Sequence, residues 1–127
     1  MPHVQKTVLV VEDEVSLNNV ICDQLRRKGY KVLNAFDGDS GIKTALENHP
    51  DAIVLDLMMP KLNGKEVLCE LRNDSWGKNV PVIIATNLES IQDMNDCLAK
   101  DVRAYFIKTD ISIESIVKTV ELSLADA

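Results

Sequence analysis

The sequence predicts an α/β domain, a parallel sheet wound by helices on both faces, and three observations lead there. Five short apolar runs alternate with five segments of helical periodicity. The run Ala52 to Leu55 has no polar face, as in a strand buried on both sides of a parallel sheet. Polar residues gather where the runs end, at Glu12, Asp13, Asp56, Thr86 and Lys108. Right-handed crossovers leave few other ways to build such an alternation.

The first strand is Val8 to Val11, ending on the acidic cluster Glu12-Asp13-Glu14. Leu17, Val20, Ile21 and Leu25 then recur at i, i+3, i+4 and i+8, a helical stripe. Gly29 stands where a helix C-terminus takes a residue of positive φ. Lys31 to Ala35 is a weaker second strand. Asp37-Gly38-Asp39-Ser40 supplies a turn and caps for a helix with Ile42, Ala45 and Leu46 on its inner stripe, closed by His49-Pro50-Asp51. The third strand, Ala52 to Leu55, runs from Pro50-Asp51 to a lone carboxylate, Asp56. A loop from Pro60 to Gly64 leads into a helix marked by Val67, Leu68 and Leu71, which runs out near Asn73-Asp74. Pro81 opens the fourth strand, Val82 to Ala85, followed by Thr86 and Asn87. Ile91, Met94 and Leu98 make a fourth stripe, interrupted by Asn95 and Asp96. Tyr105, Phe106 and Ile107 form the fifth strand, ended by Lys108. Ile113, Ile116, Val117, Val120 and Leu124 give the fifth helix, with Asp110 and Ser112 as caps.

At 127 residues the chain has the size of one domain and is read as a single unit over residues 1–127. Aromatic residues are 4% of it, so the core must be aliphatic. The net charge is −6 and no block of Lys and Arg stands out, which argues against direct nucleic-acid binding. Cys22, Cys69 and Cys97 are far apart, odd in number and without a CxxC, the pattern of free thiols in a reducing cytosol. Acidic residues break the N-terminal apolar run, and no stretch reaches the ~20 apolar residues that span a bilayer. A soluble cytoplasmic protein is expected.

In a doubly wound sheet the strand ends share one edge, and ligands bind there at the point where strand order reverses. Carboxylates after strands one and three would meet in that crevice, beside the Thr86 hydroxyl and the Lys108 ammonium. Clustered carboxylates repel unless a cation joins them. Mg²⁺ takes one or two carboxylates, waters and a phosphate oxygen. With a lysine and a hydroxyl added, the pocket suits a phosphoryl group, and Asp56 could accept it as an aspartyl phosphate.

VLVVEDE, Asp56-Leu57-Met58-Met59-Pro60 with Gly64, and Thr86 and Lys108 at their spacing resemble the receiver domain of two-component response regulators. The resemblance spans nearly the whole chain and is closest to the stand-alone, chemotaxis-type members. It implies a flavodoxin-like sheet of order 2-1-3-4-5 with five helices. It implies that Asp56 accepts a phosphoryl group from a phosphohistidine on a sensor histidine kinase or histidine phosphotransfer protein. Asp13, Asp56 and the backbone carbonyl of Met58 would hold Mg²⁺, with Glu12 acting through water. Lys108 would pair with the phosphoryl oxygens, and Thr86 and Tyr105 would form the switch. The fourth helix, fifth strand and fifth helix would then be the face read by a downstream protein. A homodimer is also expected, through an apolar edge of Ile113, Ile116 and Val120.

Three positions depart from the family pattern. Thr109 replaces the proline after the lysine, and a cis bond before a non-proline residue costs about 2.5–4 kcal/mol, so trans is expected. Asn87 follows Thr86 where a small residue is usual, and would crowd the motion of Thr86. Asp101 stands at the expected glycine, so a left-handed helix end falls to an aspartate. Met58 and Leu88 border the path of the hydrolytic water and neither can orient it, which predicts slow self-dephosphorylation. A phosphatase of the haloacid dehalogenase type needs an acid where Met58 stands, so turnover of an external substrate is not expected. A nucleotide-binding fold lacks its glycine-rich loop here. The competing reading is a degenerate receiver, a phosphorylation-independent interaction module.

Overall fold

Branched aliphatic side chains lose freedom in a helix but pack well on a pleated surface, and the runs that carry them are the strands. The computed structural model describes residues 5–59, 62–87 and 90–125. Strands β1 (Thr7–Val11), β2 (Lys31–Ala35), β3 (Ala52–Leu55), β4 (Val82–Thr86) and β5 (Ala104–Ile107) form one parallel sheet in the order β2-β1-β3-β4-β5. Helices α1 (Val15–Arg27), α2 (Gly38–Asn48), α3 (Gly64–Asn73), α4 (Ile91–Leu98) and α5 (Ile113–Ala125) make the crossovers. This is the flavodoxin-like order that the sequence led us to expect.

Alternation along the strands divides the core in two. Val8, Val10, Ala52, Val54, Ile83 and Ala85 meet α1 and α5 on one face. Leu9, Val11, Ile53, Leu55, Val82 and Ile84 meet α2, α3 and α4 on the other. β1, β3 and β4 are thus covered on both sides, which is why their sequences are continuously apolar.

The helix starts follow capping chemistry, with one exception. Asp37 accepts from the Ser40 N–H at 2.8 Å, Asn63 from Glu66 at 3.1 Å, and Ser90 from Asp93 at 3.2 Å. Ser112 likewise accepts from Ser115. At α1 the capping position is Glu14, whose side chain makes no cap. Gly29 has φ of 96° and ends α1 as expected. Asp101 sits at φ of 59°, carrying the left-handed turn expected of it. His49 is also left-handed, which the sequence did not signal, and its ring stacks on Trp76 at 4.5 Å. Among the described residues there is no cis peptide bond, so Lys108–Thr109 is trans and continues as a short 3₁₀ turn.

Several inner-stripe assignments need correction. Val20 and Leu46 are exposed, because α1 and α2 present the adjacent turns of Ile21 and Ala45 to the sheet. On α4, Ile91 is 71% exposed and Leu98 48%, and Cys97 is the one buried residue of that helix. The apolar edge expected of Ile113, Ile116 and Val120 does not exist: Ile116 and Val120 lie inside the core, and Ile113 packs against it. That removes the basis for the homodimer. Polar contacts with α3 hold α4 instead. Lys65 reaches Asp93 at 2.5 Å and Asp96 at 3.0 Å. Arg72 donates to the carbonyls of Lys100, Gly77 and Val80, at 2.7, 2.6 and 2.9 Å. Pro60 and Leu88 lie outside the described residues.

Candidate functional site

Parallel register fixes where the charged residues meet. Val11 pairs with Leu55, so the acidic residues after β1 and β3 leave the sheet side by side. The backbone locks this exit. Asp56 N–H donates to Val11 O and Glu12 N–H to Ala35 O, both at 3.0 Å. Gly64 closes the next loop against it, with its N–H on Leu57 O at 3.0 Å. A Cβ at Gly64 would stand 2.3 Å from the Asp56 carbonyl, so only glycine allows the approach.

Glu12 and Asp56 are buried, at 3% and 4% exposure. Lys108, brought in by the end of β5, spans them. Its Nζ donates to Glu12 Oε1 and, at 2.9 Å, to Asp56 Oδ2. The second oxygen of Asp56 accepts from the Met58 N–H at 3.0 Å, and the second oxygen of Glu12 from the Glu14 N–H at 3.0 Å. Burial pushes the Glu12 carboxyl up to about 7, against the pull of Lys108 and the Glu14 N–H and with the charge of Asp56 adding to the rise. Burial disfavours the Lys108 ammonium too, but its hydrogen bonds to Glu12 and Asp56 prevail and hold its pKa above the usual lysine value.

Carboxylate oxygens of Glu12, Asp13 and Asp56 lie within 4.8 Å of one another, close enough to share one hard divalent ion. A cavity of about 260 Å³ opens onto them, lined by Glu12, Asp13, Glu14, Asp56, Met58, Asn87 and Lys108. Its charge pattern, acidic with one fixed ammonium, suits a metal ion together with a phosphoryl group.

Of the six positions expected at the pocket, Glu12, Asp13, Asp56, Met58 and Lys108 line it together, and Thr86 does not. Tyr105 is not part of the lining either. Thr86 is fully buried at the end of β4, beside Ile107 of β5. Tyr105 is half-buried one strand over, opposite Ile84, on the α4 side of the sheet. Burial raises its phenol above the usual value. Two participants were missed as lining residues. Asn87 was read only as an obstacle to Thr86, although its place one residue past a strand end already signals the ligand edge. Glu14 carried no signal beyond its membership of the acidic run.

The response regulator receiver domain family matches residues 8–121. The chain is 37% identical over 111 residues to the probable transcriptional regulatory protein TcrX of Mycobacterium tuberculosis, covering 87% of this chain and 46% of that one. It is 36% identical over 120 residues to hybrid signal transduction histidine kinase D of Dictyostelium discoideum, covering 94% of this chain and 8% of that one. The chain spans half or less of the length of such curated relatives. The structure is similar to chemotaxis protein CheY4 of Vibrio cholerae, with a TM-score of 0.86 at 26% identity over 95% of this chain and 100% of that one. It is as similar to the receiver domain of the Francisella response regulator 1452, with a TM-score of 0.86 at 30% identity over 96% and 98%. The sheet edge gathers three carboxylates, two of them held by one lysine, and the chain belongs to the response regulator receiver domain family.

Proposed function

We propose that residues 1–127 act as one receiver unit that stores a phosphoryl group on Asp56. The observation that carries this reading is the span of Lys108 from Asp56 to Glu12, with Asp13 within reach of both. The donor is a phosphohistidine on a sensor histidine kinase or a histidine phosphotransfer protein. An oxygen of the Asp56 carboxylate attacks phosphorus, the P–N bond breaks, and the imidazole leaves with its electron pair. The product is an aspartyl phosphate.

The carboxylates of Glu12, Asp13 and Asp56 fit Mg²⁺; Asp13, Asp56 and the Met58 carbonyl would hold it, with Glu12 acting through water. When bound, the ion supplies charge neutralisation for the phosphoryl oxygens. Lys108 does the same from the protein side, and its stem is fixed by β5 before the donor arrives. Once phosphorylated, Asp56 no longer presents the carboxylate that Lys108 holds at rest. Thr86 and Tyr105 carry that change toward α4, β5 and α5, the surface a downstream protein reads. The unit works in the cytoplasm as a signalling module and turns over no external substrate.

Acetyl phosphate with Mg²⁺ tests this. The intact protein should gain the mass of one phosphoryl group, the Asp56→Ala variant none, and chelation should prevent the gain. A wild-type protein that stays unmodified, while still folded, would favour the phosphorylation-independent module instead.

A further inference from the structure

Asn18 is a fully buried amide on α1 whose polarity the helical stripe does not explain. Its Nδ2 donates to the carbonyl of Glu12 at 3.0 Å and to the carbonyl of Ala35 at 3.1 Å. Both are at or just past the ends of neighbouring strands, β1 and β2. Both neighbours of the amide nitrogen are acceptors, so the NH₂ must face them and Oδ1 must face away. Oδ1 in turn accepts from the Cys22 thiol one turn on, at 3.2 Å. Cys22 is fully buried, and burial holds the thiol in its protonated, donating form.

The consequence falls on Glu12. Its N–H is tied to Ala35 O, its carbonyl to Asn18, one carboxylate oxygen to the Glu14 N–H and the other to Lys108. α1 lacks a side-chain cap, and besides the backbone N–H of Asn18 on Glu14 O at 2.9 Å the Asn18 side-chain amide is the helix's hold on this turn among the described residues. We infer that Asn18, oriented by Cys22, is a positioning residue that holds the Glu12-Asp13 turn in the geometry that binds the divalent ion. This rests on the reading of the pocket as a Mg²⁺ site. Metal sites depend on such supporting hydrogen bonds, whose loss typically weakens affinity about 10–100-fold.

Mg²⁺ titration by calorimetry on the unphosphorylated protein, with hydrogen exchange of the Glu14 amide in metal-free protein, tests the inference. Asn18→Ala should weaken Mg²⁺ about 10–100-fold and speed the Glu14 amide's exchange while the thermal transition stays cooperative. Cys22→Ala should move both readouts the same way by less, and Cys22→Ser, which keeps a donor, should restore them. If Asn18→Ala does not fold, the Cys22 pair decides. Unchanged Mg²⁺ affinity and unchanged Glu14 exchange in a folded variant would overturn the inference. A wild-type protein that binds no Mg²⁺ would sink the reading of the pocket instead. The amide exchange alone would then decide whether Asn18 positions the turn.

Discussion

Two lysines in this molecule each hold two carboxylates, and they differ in how far water reaches them. Lys108 lies between Glu12 and Asp56, its side chain 15% exposed and theirs 4%. Lys65 lies between Asp93 and Asp96, exposed at 37% against 22% and 39%. Both ammonium groups have raised pKa values, because hydrogen bonds to carboxylates favour the charge. The surroundings decide what the two clusters are for. Around Lys108 water is largely excluded, so removing one charge strands the others. Around Lys65 water and salt compete, and the pairs contribute little to stability. Their effect is local: they help position α4, which has Cys97 as its one buried residue. The same arrangement closes off a pocket when buried and is a loose clasp when exposed, and a loose clasp fits the role proposed for α4 in a face that changes.

Substitution should separate them most sharply. Lys108→Met leaves two buried carboxylates without their donor and should cost about 1–3 kcal/mol of unfolding free energy at neutral pH. Lys65→Met should leave global unfolding nearly unchanged while hydrogen exchange in α4 quickens. Urea denaturation of both variants checks this, and equal losses would break the comparison.

A pH profile is the next test. The folded protein holds the Glu12 carboxyl at about 7, against 4.5 for the free group. Between those values the folded state binds more protons than the unfolded chain. Stability of the metal-free protein should therefore fall as pH rises from about 4.5 to about 7. Lys108 stays charged throughout this window and does not add to the slope. Glu12→Gln should flatten the curve, and Mg²⁺ should reduce its slope. Denaturation midpoints measured across the window decide it.

Salt should act on one cluster and spare the other. Raising ionic strength from about 0.1 M to about 1 M shortens the screening length from ~10 Å to ~3 Å. Exchange in α4 should quicken while the Glu14 amide beside Glu12 keeps its rate. Smallest of all is the effect expected at the rim of the pocket. Met58, 54% exposed, cannot orient a water, so Met58→Asn should hasten decay of the acyl phosphate, followed by release of inorganic phosphate.

Much of this was legible in the sequence, and the failures share a cause. The strands read to within a residue at each end; for β1, β3 and β4 the reason is that a run buried on both faces tolerates no polar interruption. Asp56, Glu12 and Lys108 were legible as strand-end residues, since parallel topology sends all such ends to one edge. Helix faces were less legible. Val20 and Leu46 fit the period as well as the residues beside them, and only the position of the helix over the sheet chooses between them. On α4 two of the three stripe residues, Ile91 and Leu98, are exposed, and ion pairs to α3 help hold that helix. Asn18 carries no signal in the sequence. A buried amide is invisible until its two carbonyl partners, distant in sequence, are brought together by the sheet.

The central claim is that the carboxylate of Asp56 carries the phosphoryl group, and reductive trapping tests it most directly. Protein treated with acetyl phosphate and Mg²⁺, reduced with borohydride and mapped by peptide mass, should show homoserine at position 56, and no reduction when Mg²⁺ is chelated. Reduction at another carboxylate, or none in a folded and metal-loaded protein, would contradict the account.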